Sequence, residues 1–189
     1  MQKDKIKWDN KYLNKPELLS RREASEFVKK YALMAPVKMA LDIACGGGRH
    51  IFYLSELGFE IDGVDISSVA LNRLQEVVGS NVKLIEADLD SFKFEKERYG
   101  LIVKANYLDR AVIERAKEAL VKGGIFIVET YVEDKNNEKK DSNPNFLLKK
   151  GELKEIFKEG FEILEYKEFD NEPYELYRMK KAAIAVVRI

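Results

Sequence analysis

At 189 residues the chain is long enough for one domain with a sizeable core, and its length argues against two. Its 33 basic and 33 acidic side chains cancel, so no basic excess marks a nucleic-acid or anionic-membrane partner, and both are disfavoured. A single cysteine, Cys45, cannot close an internal disulfide, and with one histidine it makes a poor metal site, so a reducing cytoplasm and no metal are expected, and neither a membrane-spanning run nor a leader stands out.

Residues 1 to 15 read as a polar arm carrying Ile6, Trp8, Tyr12 and Leu13, and aromatics in such an arm need a surface to lie on. Ser20 stands three residues before Glu23 as a capping box, with Ala24, Phe27, Val28 and Tyr31 following at helical spacing. Pro36 breaks the chain before a first strand, Met39 to Ile43. Gly46 to Gly48 then turn it into a helix whose first turn holds Arg49 and His50, where unpaired backbone N–H groups favour an anion. A second strand closes on Asp65, and Ser67 caps a helix running to Val78 and ended by Gly79. Val82 to Ile85 is the third strand, and the connection after it has no sustained helical period.

Leu101 to Val103 is the fourth strand; Asp109 then caps a helix lined by Val112, Ala116, Ala119 and Leu120 and stopped by Gly123-Gly124. Ile125 to Val128 is apolar throughout, as in a parallel strand buried on both faces. The stretch 132 to 148 is long and polar for a connection, but Pro144, Phe146, Leu147 and Leu148 give its second half something to bury. Leu153, Ile156 and Phe157 mark a last helix ending at Gly160, and Phe161 to Tyr166 and Ala182 to Ile189 are the closing strands. No repeat or composition shift divides the chain, so one domain is expected over 1–189, with an arm and helix at 1–35 and a core at 36–189.

The chemistry concentrates between Leu41 and Asp65, LDIACGGGRHIFYLSELGFEIDGVD, a strand, glycine turn, helix and second strand. The carboxylate that closes the second strand of such a unit is placed to accept hydrogen bonds from the hydroxyls of a ribose, which points to a nucleoside cofactor. A dinucleotide fingerprint G-x-G-x-x-G/A is met at Gly46 and Gly48 but fails at Ile51, which weakens an NAD(P)-dependent oxidoreductase. The other local reading is a tight turn with Asp65 and Asp88 as helix caps.

The pattern D-x-A-C-G-x-G, with further acids at Asp65 and in EADLD, resembles the class I S-adenosylmethionine (SAM)-dependent methyltransferases. ALVKGGIFIVETY adds a further match, and the WDNKYL start, ALDIACGGGRH, GFEIDGVDIS and NPNFLLKKGEL are similar to the small tellurite-resistance type. The resemblance implies an α/β, Rossmann-like fold: a seven-stranded, mostly parallel sheet in the order 3-2-1-4-5-7-6, its last strand antiparallel, with helices on both faces. It also implies SAM as cofactor, with S-adenosylhomocysteine as product. Carried over, it puts Asp42, Ala44, Gly46 and Gly48 at the methionine end, Asp65 on the ribose, Ile66 on the adenine face, and Asp88 with Leu89 at the adenine edge, and the first helical turn with Arg49 then suits the cofactor's amino-acid carboxylate. Ala105 joins the cofactor contacts, and Tyr12 or Trp8 forms a lid.

His50 either touches substrate or is a polar first-turn residue. Asn106, Tyr107, Glu129 and Tyr131, from the ends of strands four and five, are candidates for the acceptor pocket. Gly100, where relatives usually have an acid, and Lys104, where they often have a small polar residue, depart from the pattern. Arg178 is the one group comparable to the His and Arg that tellurite-type members carry near the final hairpin. A small-molecule acceptor such as a thiol or chalcogen oxyanion is expected. No catalytic residue is assigned, the oligomeric state stays open, and a non-catalytic SAM-binding module is a further alternative.

Overall fold

A computed structural model of the chain describes residues 2–139, 142–173, 175 and 177–189. Four strands whose apolar residues occupy both faces build the centre: β1 (Met39–Ile43), β2 (Glu60–Asp65), β4 (Tyr99–Ala105) and β5 (Leu120–Tyr131). With β3 (Val82–Glu86), β6 (Phe161–Asp170) and β7 (Lys180–Arg188) they form one seven-stranded sheet in the order β3-β2-β1-β4-β5-β7-β6. The pairs among β1 to β5 are parallel, and β7 runs antiparallel to both neighbours, as the expected topology has it.

Side chains alternate across each strand, so the sheet divides the core in two. Leu41, Ile43, Ile102, Phe126 and Val128 pack with α5 (Arg110–Lys117) and α6 (Glu152–Ile156) on one face. There Phe157 meets Phe126 and Phe161 edge-on, each at 5.2 Å between ring centres. Ala40, Leu101, Val103, Ile125 and Ile127 face α2 (Glu26–Tyr31), α3 (Arg49–Glu56) and α4 (Ser68–Gln75) on the other. By the same alternation Asp42, Glu129 and Lys181 project from the strand ends toward this second face.

Several local expectations are corrected. The polar arm is a helix, α1 (Gln2–Asn14), with an acid in its first turn and a base in its last, and it buries none of its residues. The capping box at Ser20 does not form. Pro16–Leu19 is a short 3-10 turn that buries Leu19, and the next helix starts later, with Ser25 accepting from Val28 N at 3.4 Å. Helix α4 stops at Gln75 rather than Val78, leaving Val77 exposed. Helix α5 ends at Lys117 because the chain beyond is captured by the sheet: Arg98 N and Tyr99 N both donate to Ala119 O at 2.9 Å. Gly123 and Gly124 therefore lie inside β5, where the β4–β5 register shifts.

In the connection 132–148, Leu148 is buried and bridges to Val132, whereas Phe146 is 56% exposed, against the expectation that it packs. No helix among the described residues is long and apolar enough to cross a membrane. Gly100 has a plain steric reason: a Cβ there meets the Val37 carbonyl oxygen at 2.1 Å. Gly100→Ala is therefore expected to lower the unfolding free energy by about 3 kcal/mol, the upper part of the range for overpacking, in a denaturant titration. A midpoint equal to wild type contradicts this packing.

Candidate functional site

The carboxyl ends of the parallel strands gather at one edge, where ligands bind in open α/β sheets. The backbone there is turned sharply. Gly46 and Gly48 take φ of +50° and +76°, and Ala44 and Asn106, at the ends of β1 and β4, take +57° and +56°. A left-handed conformation costs a residue with a Cβ about 1–2 kcal/mol, so packing must impose it at Ala44 and Asn106. At Asn106 the restraint is visible, since its N–H donates to Glu129 O at 2.8 Å.

Asp65 organises this edge. Its Oδ2 accepts from Gly46 N at 2.8 Å and its Oδ1 from Ser67 N at 2.9 Å, so one carboxylate at the tip of β2 fixes both the glycine turn and the start of α4. Burial pushes its pKa up, and the amides of Ser67, Gly46 and Ile66 oppose that shift. With about four acceptor sites in all, the carboxylate can still accept from a hydroxyl donor. Ile66 is half-buried beside it. Asp88, half-buried past β3, accepts from Asp90 N at 3.0 Å, and Arg115 holds the carbonyls of Leu89 and Phe92 at 2.5 and 3.0 Å. Ala105 is half-buried at the end of β4.

Helix α1 lies over this edge and is attached by polar contacts. Asp9 accepts from the Ser67 hydroxyl at 2.6 Å and from Val69 N at 3.2 Å, capping α4 from outside, and Lys5 pairs with Glu86 at 2.7 Å. The Tyr12 hydroxyl stands 3.2 Å from where a Cβ on Gly46 would start, and Trp8 packs 5.6 Å from the Tyr12 ring. Burial and the nearby Asp65 charge both push the Tyr12 phenol up. Asp9, the residue that ties this helix down, carried no signal in the sequence, because Ser67 and Val69 lie far along the chain.

The second polar group stands on the α2–α4 face. Asp42 is 2% and His50 3% exposed, with His50 Nδ1 4.0 Å from Asp42 Oδ2. Burial, reinforced by Asp65, lifts the Asp42 carboxyl to about 8. Burial, reinforced by the Arg49, Lys181 and Arg22 charges, lowers His50 to about 3. The approach is thus between two neutral groups rather than an ion pair, and His50, in the first turn of α3, is buried. Arg49 does not stand open to a ligand anion: it donates to Glu23 O at 2.6 Å and to Glu172 at 2.8 Å.

Glu172 also accepts from Lys181 at 3.0 Å, and Lys181, fully buried, lies 3.3 Å from both Glu129 and Glu175. The Tyr131 hydroxyl donates to Glu175. Burial works against the charge on Lys181, but the three carboxylates outweigh it and raise its pKa. Glu129 and Tyr131 thus belong to one charged cluster, whereas Asn106 is exposed. Arg178, singled out near the final hairpin, is exposed, and its backbone N–H donates to Glu138. Lys181, near the head of an apolar strand, escaped the sequence reading because its partners come from β5 and from the connection before β7.

Lys104 lies on the opposite face, fully buried. It donates to the Tyr107 carbonyl with its ammonium 4.8 Å from the Tyr107 ring centre, fastening the loop that carries Asn106 and Tyr107. No group of three or more metal-ligating side chains occurs among the described residues.

Residues 40–124 match the family described as "Methyltransferase domain". The strand order is that of the class I methyltransferase fold, and the segment 40–124 is similar to a methyltransferase domain. Within that class the chain is similar to the TehB type. It is 30% identical over 151 residues to the "Probable S-adenosyl-L-methionine-dependent methyltransferase TehB" of Haemophilus influenzae, over 72% of this chain and 50% of the relative. The chain therefore spans about half the length of the curated relatives it matches. The crystal structure of TehB from Haemophilus influenzae aligns with a TM-score of 0.76 at 23% identity, over 88% of this chain and 63% of that one. The glycopeptide N-methyltransferase MtfA complexed with S-adenosylhomocysteine aligns at 0.64 and 17% identity, over 89% and 91%.

Burial lowers the Lys104 ammonium to about 7, with Asp109 opposing. The unfolded chain then binds more protons than the folded one between pH 7 and the ordinary lysine value of 10.5, so the cost of burying this group is full below pH 7 and fades as pH rises. Lys104→Met should be more stable than wild type at neutral pH, the gain shrinking toward pH 10. Denaturant midpoints across that range check it, and a constant or growing gain contradicts it.

Proposed function

We propose that the chain is a SAM-dependent methyltransferase acting on a small-molecule acceptor. The observation that carries this reading is Asp65, a buried carboxylate fixed by backbone amides at the tip of β2, with acceptor capacity left for a ribose hydroxyl. On this reading Gly46, Gly48, Ala44, Arg49 and Asp42 line the methionine end, Ile66 the adenine face, Asp88 and Leu89 the adenine edge, and Ala105 the inner wall. Helix α1 covers the site through Tyr12. The cofactor suits these residues because Asp42 Oδ2 is buried without a partner and the amino-acid tail offers a cation.

A dinucleotide suits them less. Ile51 is fully buried and fills the space that a dinucleotide fingerprint gives to its third glycine. The room comes from β2 instead, since a Cβ on Gly63 would meet Ile51 Cδ1 at 2.7 Å. The chain spends its small residue on the strand, not at the start of the helix.

Bound SAM supplies a methyl group already activated by its sulfonium, and the protein supplies position and dryness. Alignment of a nucleophile with that carbon is worth roughly 7–11 kcal/mol of barrier. Glu129, Tyr131, Asn106, Tyr107 and His50 border the acceptor side. Neither basic group there suits a general base near neutrality: His50 is neutral but its lowered pKa makes it a weak proton acceptor, and Lys181 stays charged. That favours an acceptor which arrives nucleophilic, a thiolate or a chalcogen anion.

Incubation with SAM labelled in its methyl group should give labelled thioether from a small thiol. Asp65→Asn should weaken the cofactor by about 1.5–3 kcal/mol, seen as a rise of roughly tenfold or more in its KM. The reading fails if thiols, selenite and tellurite all remain unlabelled, and the ribose assignment fails if Asp65→Asn leaves the KM unchanged.

A further inference from the structure

Lys104, on the α5 side of the sheet, is a buried cation to which the chemistry above gives no task. Its ammonium donates to the Tyr107 carbonyl and lies 4.8 Å from the Tyr107 ring centre, and the charges that bear on it, Asp109 and Arg110, are of opposite sign. A desolvated ammonium met by one carbonyl and one ring is a costly way to fill space. The contact falls where little else holds the chain. β4 ends at Ala105, still paired with Glu129, and Asn106, at φ +56°, donates its N–H to Glu129 O at 2.8 Å. Three residues later Asp109 accepts from Val112 N at 2.9 Å and starts α5. Between these two anchors, among the described residues, Tyr107 and Leu108 make no backbone–backbone hydrogen bond. Leu108 dips into the core, and Lys104 fixes the peptide just before that dip.

The loop fastened in this way belongs to the ligand edge. Ala105 is half-buried and Asn106 exposed, and the charges of Asp109, Asp90 and Asp88 bear on the Tyr107 phenol, which places Tyr107 toward the end of the edge beside β3. We propose that Lys104 is a positioning residue for the nucleoside cleft: from beneath the sheet its ammonium holds residues 106–108 in one conformation, so that this wall is formed before the ligand arrives. A preformed wall spares the ligand the entropy of ordering it. The cost is the burial of a cation. Lys104→Met, expected above to be the more stable protein, is therefore expected to bind its ligand less well. The inference rests on the cofactor reading above and adds to it a residue that acts on the ligand only through the loop.

Nuclear magnetic relaxation and calorimetry on the full chain at neutral pH test this together. In the ligand-free wild type the backbone order parameters of Asn106, Tyr107 and Leu108 should match rigid backbone, about 0.85, and in Lys104→Met they should fall toward about 0.6. In the same variant the affinity for S-adenosylhomocysteine should drop roughly fivefold, although the denaturant midpoint rises. A lysine that serves packing alone predicts no such split, since the more stable protein would then bind at least as well. Lys104→Gln, whose amide keeps an N–H for the Tyr107 carbonyl, should recover most of the order and most of the affinity. Unchanged affinity in Lys104→Met, unchanged order parameters, or losses in Lys104→Gln equal to those in Lys104→Met overturn the inference and leave the cofactor reading standing. Failure of the wild type to bind S-adenosylhomocysteine removes the cofactor reading itself, and this inference with it.

Discussion

A pair of backbone amides donating to one buried carboxylate holds the ligand edge of this molecule together. Gly46 N and Ser67 N belong to different loops, and Asp65 accepts from both. Hydrogen bonds to a charged acceptor are about twice as strong as neutral ones, and the protein interior strengthens them further. The turn after β1 therefore has one shape, with Gly46 in a left-handed conformation that brings the backbone under Tyr12. From that turn follow the start of α3, the burial of His50 and the facing of His50 with Asp42.

The same sheet face carries a row of charge from β1 across β5 to β7. Asp42, Glu129 and Lys181 all leave the strand ends on the side of α2 to α4, and Arg49 reaches the row through Glu172. Burying such groups costs several kcal/mol each unless partners meet them. At Lys181 three carboxylates do: Glu129 of β5, and Glu172 and Glu175. At Asp42 no partner does.

What the sequence made legible is what is local. The strand, glycine turn, helix and strand between Leu41 and Asp65 depend on neighbours within that stretch, and the carboxylate at its end lies where the spacing puts it. Sheet order followed from the family resemblance rather than from propensity. Pattern failed where two short signals competed. Ser20 with Glu23 made the better capping box, yet burial of Leu19 in the turn before it moved the helix start to Ser25. Gly123 and Gly124 looked like a helix stop, but the amides of Arg98 and Tyr99 had already drawn the chain into the sheet. The Asp9 cap on α4 and the Lys181–Glu129 contact were invisible because each joins residues distant in the chain, and Gly100 is explained only by the carbonyl of Val37 pressing on it.

If the strand-end carboxylates hold one adenosyl group, ligand binding must stabilise the folded chain selectively. Thermal unfolding in the presence of S-adenosylhomocysteine or of NADH at equal concentration poses that question in one measurement. A midpoint raised by S-adenosylhomocysteine and unmoved by NADH is the expected result. A midpoint raised by NADH alone would mean that Asp65 grips a dinucleotide, in contradiction to the site described above.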